Sequence, residues 1–166
     1  MSTLYFAYGA NTNLASMERR CPTARPVAPA LLKGWRLVFR GVADIVREDG
    51  QEVFGALWRI EHNDEIALDK FEGYPRLYTK VHIPGQMNGE HAVIMAYAMR
   101  EREWMDPPSN YYEACLRTGY KEWGLPMEQL NAAIRRANRS AQRRFEREME
   151  QGRLAFRLRA LEGRKA

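Results

Sequence analysis

The sequence predicts an α+β fold: a small, mostly antiparallel, barrel-like sheet flanked by helices, followed by a basic helical extension. Three observations carry this. Apolar alternation of period two dominates the middle of the chain, while helical spacings of three and four sit at its edges, so the elements do not alternate as βαβ units. Turn dipeptides, Asp49-Gly50 and Asn88-Gly89, fall where strands should reverse. Charge divides the chain as well: residues 135–166 hold 11 Lys+Arg against 4 Asp+Glu, a net of +7, which leaves residues 1–134 at −2. The overall +5 therefore belongs to the tail, and the boundary of a globular unit is expected near 134/135.

In order, Leu4–Tyr8 reads as a short apolar and aromatic strand ending at Gly9. Asn11, Thr12 and Asn13 supply N-cap chemistry for a short helix, roughly Asn13–Arg20, stopped before Pro22. Trp35–Gly41 and Val53–Ile60 are strands, with Asp49-Gly50 as the hairpin turn before the second. Over Asn63–Phe71 the period changes to helical: Ile66, Ala67, Leu68 and Phe71 share a face, Asp64 and Glu65 occupy the first turn, and Gly73 follows the end. Tyr78–Ile83 and Ala92–Met99 are strands joined at Asn88-Gly89, and Ser109 caps a helix running to about Trp123. From Met127 the chain is helical, with Gly152 expected to interrupt it. Arg135, Arg136, Arg139, Arg143, Arg144 and Arg147 gather near one side of this helix, whose apolar stripe suits packing on the domain or on a second copy. A nucleic-acid arm is the less favoured reading, because the body carries no aromatic-rich basic surface.

The N-terminus lacks a basic start followed by an apolar run, and no apolar stretch approaches the roughly 18–20 residues of a membrane span. The chain is expected to be soluble and cytoplasmic. Cys21 and Cys115 stand far apart, and with His62, His82 and His91 they fall at no metal-ligand spacing, so no metal or other cofactor is expected.

Two places depart from plain patterning. In Tyr5-Phe6-Ala7-Tyr8-Gly9-Ala10-Asn11 a strand runs into a glycine turn and then a helix start, leaving successive N–H groups free to meet a carboxylate or a developing oxyanion. An ordinary strand–turn–helix connection is the plainer reading of the same residues. Glu72 ends the next helix, beside the negative end of its dipole and among aromatic residues. Both surroundings disfavour the ionised carboxylate and move it towards the range of a general base, although a solvated glutamate would leave the same trace.

Taken together these segments resemble the γ-glutamyl cyclotransferases. Residues 5–11 are similar to the Tyr-Phe-Ala-Tyr-Gly-Ser-Asn opening of that family, and Val53-Phe54-Gly55-Ala56-Leu57-Trp58 to its Val-Trp-Gly-Val-Leu-Trp strand. Leu68-Asp69-Lys70-Phe71-Glu72-Gly73 matches Leu-Asp-x-x-Glu-Gly, whose glutamate is the family's catalytic residue. Pro107-Pro108-Ser109-x-x-Tyr112 and Gly119-Tyr120-Lys121-Glu122-Trp123-Gly124-Leu125-Pro126 resemble its closing signature. The likeness spans roughly residues 4–130 and leaves out the tail. It departs at Ala10, where the usual motif has Ser, at Thr12 and at Tyr120, which puts substrate choice in question more than the reaction.

The resemblance implies a cofactor-free enzyme that acts on a small γ-glutamyl substrate. The substrate's α-amine attacks its own γ-carbonyl and releases 5-oxoproline and an amine or amino acid. Glu72 is then the catalytic carboxylate, and Tyr5, Tyr8, Gly9, Ala10, Asn11 and Tyr112 bind substrate. The alternatives are a non-catalytic γ-glutamyl- or amide-binding module, or a nucleic-acid-associated protein acting through the basic tail. A γ-glutamylamine substrate is equally compatible, since all such compounds share the glutamyl half.

Overall fold

The computed structural model describes residues 2–87, 90–100 and 104–162. The elements run β1 (Thr3–Ala7), a single 3-10 turn (Ala10–Thr12), α1 (Leu14–Arg20), β2 (Arg25–Phe39), β3 (Ala43–Ile60), α2 (His62–Glu72), β4 (Tyr78–Met87), β5 (Glu90–Met99), α3 (Asn110–Glu122) and α4 (Met127–Glu162). The five strands form one sheet in the order β2-β3-β1-β5-β4. Every pairing is antiparallel except β1 with β5. The α+β class and the mostly antiparallel sheet are as expected, but the sheet is not closed into a barrel, since β2 and β4 are its edges.

β1 is central and buried on both faces, which explains its unbroken apolar run. Alternate side chains go to opposite cores. Phe6 and Tyr8 join Leu37, Ile45, Leu116, Tyr120 and Leu130 under α3 and α4, while Tyr5 and Ala7 join Met17, Trp58, Leu68 and Tyr97 under α1 and α2. β1 pairs with β5 only at Leu4–Ile94 and Tyr5–Met95. Beyond that point the strands separate, and the Tyr8 hydroxyl donates across the gap to the Tyr97 carbonyl (2.6 Å).

Several boundaries differ from the sequence reading. β2 starts at Arg25, ahead of Trp35, and carries Pro26 and Pro29. An edge strand tolerates proline because one side of it has no partner to serve, and the prolines had masked it. Asp49-Gly50 is not a hairpin turn. It lies inside β3, where the pairing steps from Trp35–Arg47 to Lys33–Glu52, so the extra residues bulge out opposite Gly34. The actual β2–β3 turn is Arg40–Val42, with Gly41 at φ 79°. Asn88-Gly89 lies outside the described residues. Gly152 does not interrupt α4, which runs through it, and the 134/135 boundary falls within this helix. Its first turns pack on β2, so the change in charge coincides with no break in the backbone. Among the described residues no helix is long and apolar enough to cross a membrane.

Two glycines let elements approach closely. A Cβ on Gly55 would lie 2.4 Å from the Ala7 carbonyl oxygen, so β3 passes β1 at that point without a side chain. A Cβ on Gly119 would lie 2.3 Å from Thr12 Oγ1 and 2.6 Å from the Asn13 nitrogen, so α3 rests directly on the segment that follows β1. Gly119→Ala is expected to destabilise the fold by about 2 kcal/mol through overpacking against backbone, read as a lower urea midpoint with unchanged slope.

Candidate active site

The segment after β1 turns sharply because Thr12 N–H bonds back to the Gly9 carbonyl (2.9 Å) and the Thr12 hydroxyl donates to the same oxygen (2.8 Å). Asn13 then caps α1, its side chain accepting from Ser16 N–H (2.9 Å). The end of α3 fastens this turn from outside. Trp123 Nε1 donates to the Thr12 carbonyl (2.7 Å), and Glu122 accepts from Leu14 N–H (2.8 Å). Gly119, Glu122 and Trp123, noted in the sequence only as a signature, are thus the support of the 9–13 turn.

α2 ends at Glu72 because Gly73 adopts the left-handed conformation (φ 64°, ψ 34°), with Tyr74 N–H returning to the Asp69 carbonyl (2.9 Å). Asp69 anchors the helix to the sheet: it accepts from the Tyr97 hydroxyl (2.6 Å) and pairs with Lys80 (2.8 Å). These ties leave Glu72 facing the 9–13 turn across a cleft. Asn11 Nδ2 donates to Glu72 Oε1 (2.8 Å) and to the Tyr5 hydroxyl (2.8 Å), while Arg20 donates to Asn11 Oδ1.

All seven residues singled out in the sequence, Tyr5, Tyr8, Gly9, Ala10, Asn11, Glu72 and Tyr112, line this open cleft. Val42, Ala43, Phe71, Leu77, Tyr78 and Tyr97 complete it. Of the departures from the family pattern, only Ala10 faces the cleft. Thr12 is buried behind the turn, and Tyr120 lies in the core with its hydroxyl accepting from Gln129 (2.8 Å). Both are packing residues, so the expectation that they bear on substrate choice is corrected.

The residues missed in the sequence are Tyr78 and Tyr97, the Val42–Ala43 corner, and Arg20. The tyrosines sit in strand patterns that mark them only as inward-facing. The corner is placed by long-range contacts. Buried Asp44 accepts from Arg40 (2.8 Å) and from the N–H groups of Ile45 and Met99 (2.8 Å each), while Arg40 also reaches the Trp104 carbonyl (2.9 Å).

Burial raises the Glu72 pKa from 4.5 to about 7, against the opposing pull of the Arg20 charge and the Asn11 hydrogen bond. Desolvation, one of the two surroundings that the sequence offered, is the leading cause. The surrounding phenols are pushed upward by burial too, Tyr112 to about 12, so all stay protonated at neutral pH. Three of them have committed donors: Tyr8 to the Tyr97 carbonyl, Tyr78 to the Ala43 carbonyl (2.6 Å) and Tyr97 to Asp69. In Tyr5 and Tyr112 the oxygen accepts instead, which leaves the phenol's own proton for another acceptor: Tyr5 accepts from Asn11 Nδ2 (2.8 Å), and Tyr112 from the N–H groups of Ala43 (3.3 Å) and Ala10.

The raised carboxyl has a consequence for stability. The folded state holds the Glu72 proton more tightly than the unfolded chain, so this group's contribution is complete below about pH 4.5 and is lost as pH rises through about 7. Glu72→Gln is therefore expected to be more stable than the parent at pH 8, by on the order of 2 kcal/mol, with the gap closing by pH 4. Thermal melts at the two pH values check this, and an equal gap at both would contradict it.

The sequence model of the family described as "Gamma-glutamyl cyclotransferase, AIG2-like" matches residues 5–117. A gamma-glutamylcyclotransferase of Bos taurus is 31% identical over 141 residues, covering 76% of this chain and 74% of that protein. The Homo sapiens gamma-glutamylcyclotransferase is 30% identical over the same shares. A solved structure titled "Gamma-glutamyl cyclotransferase" superposes with a TM-score of 0.69 at 29% identity, over 79% of this chain and 86% of that one. With the matched segment containing Glu72 and every other residue of the cleft, the chain belongs to the γ-glutamyl cyclotransferase, AIG2-like family.

Proposed function

We propose that this enzyme closes the γ-glutamyl group of a small substrate into 5-oxoproline, with Glu72 as the proton carrier. The observation that carries the reading is a carboxylate buried at the wall of the cleft, with a pKa near 7 and one oxygen held by Asn11. A general base is most effective when its pKa lies close to the working pH.

The steps follow from the chemistry of the substrate and the groups in the cleft. The α-amine enters as an ammonium and gives a proton to Glu72, whose Oε1 is tied to Asn11 while Oε2 accepts no hydrogen bond among the described residues. The freed amine attacks the γ-carbonyl carbon of the same molecule. A ring C–N bond forms as the γ-amide C–N bond breaks, and Glu72 returns the proton to the departing amine. Because nucleophile and electrophile share one molecule, holding the folded-back conformer supplies much of the rate. The narrow cleft between the 9–13 turn, Phe71 and the tyrosines suits that task. Charge develops on the carbonyl oxygen, and Tyr112 is the donor that supports it best, since two main-chain N–H groups polarise its hydroxyl towards the cleft. The hole read from the sequence as bare N–H groups at Gly9 and Ala10 is thus read here as a phenol resting on the Ala10 and Ala43 N–H groups.

Purified protein incubated with a panel of γ-glutamyl amino acids and γ-glutamylamines is expected to release 5-oxoproline, with kcat/KM falling below about pH 7 as Glu72 protonates. Glu72→Gln should lose release altogether while staying folded, and Tyr112→Phe should lower kcat roughly 10–100-fold. Near-parental turnover by Glu72→Gln would falsify the assignment. Tight γ-glutamyl binding without product would instead point to a binding module.

A cytoplasmic location suits the two free cysteines, Cys21 and Cys115. The tail is best read as a surface for a second copy. Phe145 (58% exposed) and Met149 (46%), one turn apart on α4, leave an apolar strip open to solvent, while Arg144 next to it is engaged with Asp106. Sedimentation is expected to give a dimer that Phe145→Ser with Met149→Ser converts to a monomer. Salt-dependent binding to duplex DNA, lost with the arginines of α4, would favour the nucleic-acid reading.

A further inference from the structure

Arg20 is the last residue of α1, and nothing in the local sequence marks it as part of a site. Its guanidinium lies 3.3 Å from the centroid of the Phe71 ring, the residue before Glu72, and it donates to Asn11 Oδ1. Asn11 has one amide oxygen and two N–H groups. With the oxygen turned to Arg20, both N–H groups face the cleft, one on the Tyr5 hydroxyl and one on Glu72 Oε1. Half a turn of the amide would set its oxygen against the carboxylate and its N–H groups against the guanidinium, two unfavourable contacts in place of three bonds. A planar guanidinium can stack on a ring and donate from its edge at once, which a lysine ammonium cannot do.

We infer that Arg20 is a positioning residue of the reaction: it locks the Asn11 amide and, through that amide and its own charge, sets the orientation and proton affinity of Glu72. The inference rests on the reading of Glu72 as the proton carrier. The surroundings leave this task to Arg20. Tyr5 and Tyr8 from β1, Tyr78 from β4, Tyr97 from β5 and Tyr112 from α3 are neutral phenols. Cys21, next to Arg20, is a thiol raised to about 12. Asp69, a turn back on α2, is neutralised by Lys80, and Asp44 of β3 by Arg40. The cation whose field acts on Glu72 is Arg20.

The test is a carboxylate 13C NMR titration of the ligand-free protein, with Glu72→Gln assigning the resonance, beside the pH profile of kcat/KM on γ-glutamyl-alanine. Arg20→Met is expected to raise the Glu72 titration by about 1 pH unit. The acid limb of kcat/KM should move by the same amount, about tenfold at pH 6 and less than twofold by pH 9. A helix-stabilising or packing role would lower both ends of the profile alike. Arg20→Lys, which keeps the charge and loses the fork, is expected to shift less, by about 0.5 unit. Unchanged titration in folded Arg20→Met overturns the inference. Should that variant not fold, unchanged titration and limb in Arg20→Lys does so. A moved titration with an unmoved acid limb leaves the coupling standing and removes Glu72 from the reaction instead.

Discussion

The Asn11 amide joins three parts of the chain that are distant in sequence: β1 through the Tyr5 hydroxyl, the end of α2 through Glu72, and the end of α1 through Arg20. Each of these partners is at least partly withdrawn from water, and an unpaired polar atom there is costly. The amide satisfies three of them at once, so the position of the carboxylate, the direction of the turn after Gly9 and the seat of the guanidinium are not independent. Shifting any one leaves at least two groups without partners. The cleft is thereby held by polar satisfaction at a place where the two apolar cores come apart.

Such an arrangement carries a cost in stability. A carboxylate with a pKa near 7 is one that the fold would hold more easily in its protonated form, and the desolvation responsible is supplied by the aromatic walls of the same cleft. A purely structural protein would place lysine or a small polar residue at the end of α2. Here the cost lies next to a phenol resting on two main-chain N–H groups and an amide holding one carboxylate oxygen. Local strain of this kind, supported by rigid elements on every side, is the usual setting of acid–base chemistry.

The supporting elements explain why the family's motifs are scattered along the chain. Gly55 lets β3 run close against the Ala7 end of β1, and Gly119, Glu122 and Trp123 hold the 9–13 turn from α3. Asp69 pins α2 to β4 and β5 through Lys80 and Tyr97. None of these side chains is among those nearest the proton transfer except Tyr97, which lines the cleft. They place the two segments that do the chemistry, residues 5–11 and 68–73, on either side of one gap.

Much of this was legible in the amino-acid order because it depends on local chemistry. Period-two runs, the Ser109 and Asn13 caps and the glycine after Glu72 determine where β1, β5, α1, α2 and α3 lie, since hydrogen-bonding geometry and φ preferences act over a few residues. Motif order likewise marked Glu72 and the turn after Gly9. What failed in the sequence reading depends on partners far away. β2 is a strand despite Pro26 and Pro29 because it lies at an edge, and Asp49-Gly50 became a bulge because β3 pairs on either side of it. Arg20 gained its place only when α1 docked against α2 and brought a guanidinium onto the Phe71 ring. Glu72 shows the division within one residue: its position at a helix end follows from the sequence, but its proton affinity is decided by burial, which exists only once β1, α2 and α3 have closed around it.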